Sequence, residues 1–272
     1  MIVDPERVAA VVREIADEEV GKRFGKLQAG EIDTKSGPND YVTLADRAAE
    51  TKLERALSDI YPAAGFIGEE SAAADPAIVD ALHGDGSFWI VDPLDGTRNF
   101  VQGRKEFGSI IALVEDGELR QGWIYAIPDG KFAIGSVGDG VIWDGDKLGP
   151  LPSAAGRLKG SRAIGNIDDK WKPTIVANLR SRLETESIPC AAYSYLGLLQ
   201  GKRDFALYSR CSPWDHVAGI LMLREIGGEA RYIDKNEPYS PPVSQGRPML
   251  VAGSQDRYRR VCDQLLGGIA EP

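Results

Sequence analysis

The sequence predicts a mixed fold, an α+β half followed by an α/β half, and three observations carry that prediction. Residues 109–143 read as short strands broken by Asp-Gly turns, the mark of an antiparallel meander. Two segments with helical periodicity precede it, so residues 1–148 form an α+β half. From Gly149 onward helices and strands alternate more loosely, which reads as an α/β half over 149–272.

Composition narrows the class. The 272 residues suffice for one large core or two small ones. Hydrophobic content of 43% and charged content of 27% are ordinary for a globular protein. A net charge of −9 argues against nucleic acid or an anionic membrane as partner, yet permits an anionic substrate held through metal ions. Cys190, Cys211 and Cys262 are odd in number and widely spaced, so they suggest neither a zinc site nor a disulfide framework. The opening M-I-V-D-P-E-R shows no signal-peptide pattern, and no apolar run has membrane-spanning length. A reducing cytoplasm is the expected setting.

Taken in order, Asp4-Pro5-Glu6 is a helix start, and Val8, Val11, Val12 and Ile15 form its apolar stripe to about Val20. Gly37, Pro38 and Asn39 mark a loop that contains Lys35. A second helix is expected from Thr43 to Tyr61, buried through Leu44, Ala48, Leu53, Leu57 and Ile60. Thr43 and Asp46 have capping-box spacing, so Asp46 reads equally as a cap or as a site residue. A strand at 64–67 stops at Gly68-Glu69-Glu70-Ser71. Strands at 109–114 and 118–125 flank Asp116-Gly117, and further strands are expected at 132–137 and 140–143. Helices at 173–183 and 191–200, a strand at 205–208, a helix beginning at Pro213, strands at 231–233 and 249–252, and a closing helix after Ser254 complete the chain. Asp215 lies in the first turn of the helix at Pro213, where an acid is favourable in any case. His83 and His216 are the only histidines; neither has a metal-ligand or triad spacing, which disfavours a Ser-His-Asp hydrolase.

The most informative stretch is W-I-V-D-P-L-D-G-T-R-N-F, Trp89 to Phe100. Ser87 to Val91 reads as a buried strand that Pro93 stops, delivering Asp92 and Asp95 to one turn at a strand end. Two acids there are costly unless a cation neutralises them, and a hard divalent ion such as Mg²⁺ suits an all-oxygen donor set; the alternative is an Asp-rich turn whose acids only cap and solvate. Gly96 lets backbone approach a ligand, and a helical turn opened by Thr97 would point its amide at an anion. An aspartyl-phosphate nucleophile is missing, because Pro93 stands two residues before Asp95. The alternating acids of a calcium-hand loop are missing as well.

Four pieces in order resemble the inositol monophosphatase family of Mg²⁺-dependent, lithium-sensitive phosphomonoesterases. They are D-Y-V-T-L-A-D (Asp40 to Asp46), G-E-E-S (Gly68 to Ser71), the stretch Trp89 to Phe100, and P-W-D-H-V-A-G (Pro213 to Gly219). The resemblance implies a layered αβαβα sandwich of the sugar-phosphatase type. It implies Glu69, Asp92 and the Leu94 carbonyl as ligands of one metal, Asp92, Asp95 and Asp215 as ligands of a second, and Glu69 beside a weaker third. Asp46 and Thr97 would orient the attacking water together with Glu69. The Gly96 and Thr97 amides would hold phosphate, and Lys35 would be a mobile-loop lysine. Asp95 and Asp215 would face the alcohol. Tyr208 ends a predicted strand seven residues before Asp215, a place where it would either face the alcohol as well or pack against Trp214 in the core. A homodimer is expected by the same analogy.

The chemistry agrees with that implication. A phosphate monoester dianion repels a nucleophile and loses an alkoxide, and two or three Mg²⁺ ions set about 4 Å apart answer both difficulties. Two departures concern the substrate. The family's S-x-G-T-A-A reads Ser187-Ile188-Pro189-Cys190-Ala191-Ala192 here, and the acid that inositol-selective members often carry seven residues before the second-signature Asp is Tyr208. The expected activity is Mg²⁺-dependent hydrolysis of a small phosphorylated polyol or sugar, with inositol monophosphate as the default. Fructose 1,6-bisphosphate, histidinol phosphate and nucleotide 3′,5′-bisphosphates are alternatives, and a catalytically silent metal- and phosphate-binding protein is a further one.

Overall fold

A computed structural model describes residues 2–34, 41–163, 172–241 and 248–266. The chain opens with α1 (Pro5–Glu19), whose first turn is closed by Asp4 accepting the Glu6 amide. A small antiparallel pair, β1 (Ile32–Thr34) and β2 (Tyr41–Thr43), leads into α2 (Leu44–Ile60). Then come β3 (Gly65–Gly68), α3 (Glu69–Ala74), β4 (Ser87–Asp95) and α4 (Thr97–Val101). The meander follows as β5 (Gly108–Glu115), β6 (Glu118–Ala126), β7 (Lys131–Ser136), β8 (Gly140–Trp143) and β9 (Asp146–Leu148).

These strands form a seven-stranded sheet in sequence order from β3 to β9. Only β3 and β4 run parallel; the remaining pairs are antiparallel. The tight β5–β6 hairpin has Asp116 and Gly117 both at positive φ, the conformation that an Asp-Gly turn favours.

The second sheet is built from β10 (Lys159–Ala163), β11 (Glu184–Glu186), β12 (Phe205–Tyr208), β13 (Glu229–Tyr232), β14 (Glu237–Pro238) and β15 (Met249–Ala252). Its order is β11-β10-β12-β15-β13-β14. Four helices accompany it: α5 (Lys172–Arg182), α6 (Ala191–Leu199), α7 (Pro213–Glu225) and α8 (Gln255–Leu266).

Strand periodicity sorts the side chains into three cores. Trp89, Val91, Ile111, Leu113 and Trp123 face α1 and α2. The alternate residues Ile90, Ile110, Ala112 and Ile124 face α6 and α7, which also meet Ala206, Ala230 and Val251 of the second sheet. Phe205, Leu207 and Leu250 face α5 and α8 on its far side. The layers are therefore helix pair, sheet, helix pair, sheet, helix pair, as expected of an αβαβα sandwich. α7 lies between two sheets, which is why Val217, Ala218, Ile220, Leu221, Met222 and Leu223 are all buried and no polar face remains along that stretch. Among the described residues no helix is long and apolar enough to cross a membrane.

Two expectations are corrected. Leu44, expected on the buried face of α2, is 47% exposed, and Ala45 and Ala49 fill that face instead. Pro93 does not stop β4, which continues to Asp95. Pairing with β3 ends at Val91, so the missing Pro93 amide faces no strand on that side. Against β5, Asp92 pairs with Ile110 and Asp95 with Gly108, so three steps on one strand oppose two on the other. This is a bulge, and it absorbs the proline.

Candidate active site

The parallel pairing of β3 and β4 brings their ends together. Gly68 lies opposite Val91, so the next residues, Glu69 and Asp92, emerge side by side, and their carboxyl groups are hydrogen-bonded to each other. The bulge then reorients the strand between Asp92 and Asp95. Asp92 Oδ1 accepts the Leu94 amide at 3.0 Å, and Ser109 Oγ donates to the Pro93 carbonyl at 2.7 Å, which fixes the bulged backbone. Gly96 follows in the left-handed region at φ 84°, where a Cβ would stand 2.7 Å from the Glu106 carbonyl oxygen. Only glycine meets both conditions.

Thr97 opens α4. Its Oγ1 lies 3.0 Å from Asp46 Oδ1 and 2.9 Å from the Leu94 carbonyl. Asp46 also forms the capping box of α2: Oδ2 accepts the Thr43 amide at 2.8 Å and the Thr43 hydroxyl at 2.5 Å. Both readings of Asp46 therefore hold, on different oxygens.

Asp215 comes from the other half of the chain, in the first turn of α7. One carboxylate oxygen from each of Asp92, Asp95 and Asp215 lies within 4.8 Å of the others. Asp92 and Asp95 are buried and Asp215 is half-buried. Burial raises Asp92 well above the ordinary carboxylate range, and the charges of Glu69, Asp95 and Asp215 add to that. Burial also raises Asp95, against the lowering effect of hydrogen bonds from Cys190, Ala192 and Ala191. Asp46 is pushed up to about 6, chiefly by burial and also by the Glu69 charge, while its Thr43 and Thr97 hydrogen bonds pull the other way. Glu69 and Asp215 open onto a cleft of about 920 Å³, which Arg47, Arg210 and Trp214 also line.

Residues 4–264 match the inositol monophosphatase family. The chain belongs to that family. It is 31% identical to the inositol-1-monophosphatase of Bacillus subtilis over 244 residues, 86% of this chain and 87% of that protein. It is 32% identical to the histidinol-phosphatase of Mycobacterium tuberculosis over 238 residues, 84% and 86% of the two chains. The crystal structure of extragenic suppressor protein suhB from Bartonella henselae superposes with a TM-score of 0.80 at 25% identity, covering 96% of this chain and 98% of that one. The protein is thus a phosphomonoesterase of the inositol monophosphatase family, and two of these relatives bear the names of different substrates.

Inositol monophosphatases are Mg²⁺-dependent, and the acids present fit such an ion: the donors are all oxygen, β4 and α7 bring them together from the two halves of the chain, and their mutual crowding is costly without a cation. The substrate side is less uniform. Tyr208 is buried; its hydroxyl donates to Ser194 Oγ at 2.8 Å, and its ring meets the His216 ring edge-on at 4.5 Å and stacks on Tyr195 at 6.0 Å. Trp214 is partly buried against the same core and also lines the cleft. His216 is buried and structural: burial lowers it to about 4, and its ring contacts Tyr195 Oη at 3.0 Å and the Arg210 carbonyl at 3.1 Å. His83 is exposed. Lys35 and Asp40 lie outside the described residues.

Sequence reasoning missed two contacts. The buried carboxylate of Glu50 accepts the Glu70 and Ser71 amides at 2.8 Å each, capping α3 directly behind Glu69. Its only sequence signal is its place one turn after Asp46. Cys190 was noted for its departure from the family pattern, but its contact with Asp95 was not foreseen.

Proposed function

We propose that this chain hydrolyses a small phosphate monoester by direct attack of a metal-activated water, with inositol monophosphate as the default substrate. The observation that carries this reading is the convergence of Asp92, Asp95 and Asp215, with the Asp46–Thr97 pair beside them. Glu69, Asp92 and the Leu94 carbonyl would hold one Mg²⁺, and Asp92, Asp95 and Asp215 a second, with Glu69 bordering a third. Bound Mg²⁺ would supply charge neutralisation, a more acidic water and stabilisation of the leaving oxygen.

The protein's own groups do the rest. Thr97 donates its hydroxyl hydrogen to Asp46 or to the Leu94 carbonyl, which leaves lone pairs on Oγ1 to receive a hydrogen bond from water. Glu69 accepts the water's proton. The Gly96 and Thr97 amides receive the phosphate oxygens. The chain needs no covalent nucleophile, and Cys190 is buried with its thiol raised well above the ordinary range by burial and by Asp95.

A second substrate reading is favoured by one observation. Tyr208 is engaged by Ser194 and His216, whereas the neighbouring Arg210 is exposed on the cleft wall. That arrangement suits an alcohol carrying a second anionic group, as in a sugar or nucleotide bisphosphate. A homodimer and inhibition by lithium ions belong to the same proposal. The test is turnover of para-nitrophenyl phosphate with and without Mg²⁺, followed by kcat/KM for inositol 1-phosphate, histidinol phosphate, fructose 1,6-bisphosphate and a nucleotide 3′,5′-bisphosphate. Absence of Mg²⁺-dependent turnover on every one of them overturns the proposal in favour of a silent binding protein.

A further inference from the structure

Asp95 is gripped from across the chain. The thiol of Cys190 donates to Asp95 Oδ2 at 2.9 Å, and the Ala192 amide donates to the same oxygen at 2.6 Å. Cys190 is the residue immediately before α6, and Ala192 lies in its first turn. Cys190 is 3% exposed and Asp95 is 8% exposed, so these donors are not replaceable by bulk water. The fit is close on the neighbouring residue as well: a Cβ on Gly96 would lie 3.2 Å from both Cβ and Sγ of Cys190. The thiol thus packs against the turn that carries Asp95 and bonds its carboxylate.

Two donors on Oδ2 fix the plane of the carboxylate. One oxygen of this carboxylate joins those of Asp92 and Asp215, all within 4.8 Å of one another, so the donors on Oδ2 set how Asp95 presents it. We propose that Cys190 is a positioning residue for the metal site: its thiol, acting with the Ala192 amide, sets the oxygen that Asp95 presents to the second cation. The inference rests on the metal site proposed above. Cys190 touches neither water nor substrate in this assignment. Its effect passes entirely through Asp95, and it makes the N-terminal end of α6 part of the metal site's support. Outer groups of this kind typically govern metal affinity by about 10- to 100-fold.

A small buried residue that merely filled space would tolerate Ala and Ser equally, because both lose the sulfur. A positioning donor distinguishes them, because Ser keeps an O–H. The test is Mn²⁺ binding, followed by electron paramagnetic resonance of the free ion, to wild type, Cys190→Ala and Cys190→Ser, with melting curves of each metal-free protein as a control. The expected result is a loss of about tenfold or more in affinity for one Mn²⁺ in Cys190→Ala, recovered to within about threefold of wild type in Cys190→Ser, while the metal-free melting temperatures of the two variants fall together. Equal Mn²⁺ affinity in Cys190→Ala and Cys190→Ser overturns the assignment. Should Cys190→Ala not fold, the comparison passes to Ala192→Pro, which deletes the partner amide in a first turn where proline is tolerated; unchanged Mn²⁺ affinity there also overturns it. If wild type itself binds no Mn²⁺, the proposed metal site has failed, and the clamp fails with it.

Discussion

Asp46 and Thr97, 51 residues apart in sequence, meet through Oδ1 and Oγ1 at 3.0 Å while the other oxygen of Asp46 holds the cap of α2. A group that both starts a helix and orients a hydroxyl cannot drift relative to either. Thr97→Ala is therefore expected to lower kcat by about 10²-fold or more with little change in KM, the sign of an interaction made in the transition state. Thr97→Ser retains most of the activity, because it keeps the hydroxyl. Steady-state kinetics of the two variants decide the matter; equal activities mean that Thr97 is only a turn residue.

Asp95→Asn keeps the size of the side chain and removes a charge from the acid cluster. An amide must also choose which end faces the Ala192 N–H and the Cys190 S–H. If its oxygen accepts those donors, its NH₂ takes the place of the other carboxylate oxygen. The expected loss in kcat is at least ~10²-fold, with an unchanged far-ultraviolet circular dichroism spectrum and a weakened response to Mg²⁺. Near wild-type, Mg²⁺-dependent turnover in Asp95→Asn contradicts the assignment.

Removal of metal should invert the usual pH dependence of stability. Asp46 titrates near 6 in the folded chain, against about 3.9 when unfolded. Between those values the folded state holds a proton that the unfolded state has released, so stability falls as pH rises. The contribution is full below the unfolded value and lost as pH passes through about 6. Asp92 and Asp95 are raised in the same direction. Glu18 and Glu19 are lowered, first by hydrogen bonds from Lys52, so their opposite contribution is lost only below the ordinary carboxylate range. Chelator-treated protein is expected to melt higher at pH 5.5 than at pH 7.5, by roughly 2–4 °C per kcal/mol regained. Saturating Mg²⁺ should close that gap. Calorimetry at the two pH values, with and without Mg²⁺, checks both statements, and a chelator-treated protein that melts higher at pH 7.5 refutes them.

Arg210 offers a direct probe of substrate class. A charge-assisted hydrogen bond from its guanidinium to a second phosphate would contribute about 1.5–3 kcal/mol. Arg210→Ala is expected to lower kcat/KM for fructose 1,6-bisphosphate by about tenfold or more relative to inositol 1-phosphate. A ratio that does not move assigns Arg210 to the surface and returns the preference to simple monoesters.

What the sequence made legible was whatever acts over short range. The Asp4 cap, the Asp116-Gly117 hairpin and the alternation of Trp89 and Val91 against Ile90 all follow from neighbours in the chain. The acids of the candidate site were found because they fall in short motifs at strand and helix ends. The continuation of β4 past Pro93 was misread, because a proline's cost depends on whether a strand lies beside it, and β3 ends two residues earlier. Cys190 and Glu50 were missed for a related reason. Their partners lie 95 and about 20 residues away, and nothing in the composition of either neighbourhood marks a donor or a buried carboxylate. Tyr208 was placed in the right half of the molecule, but its partners were set by the folding of α6 and α7 against each other.

α7 is a single rod of 13 residues wedged between two sheets, with Asp215 in its first turn. Such a rod is roughly 20 Å long, so a pivot of a few degrees at its far end sweeps its tip by about 1 Å. A shift of that size is enough to spoil a coordination shell. The deep apolar residues along it, Met222 among them, therefore act as a mechanical lever on the chemistry although they touch no reactant. Repacking beneath Met222 should register as altered metal occupancy at Asp215 before it registers as unfolding.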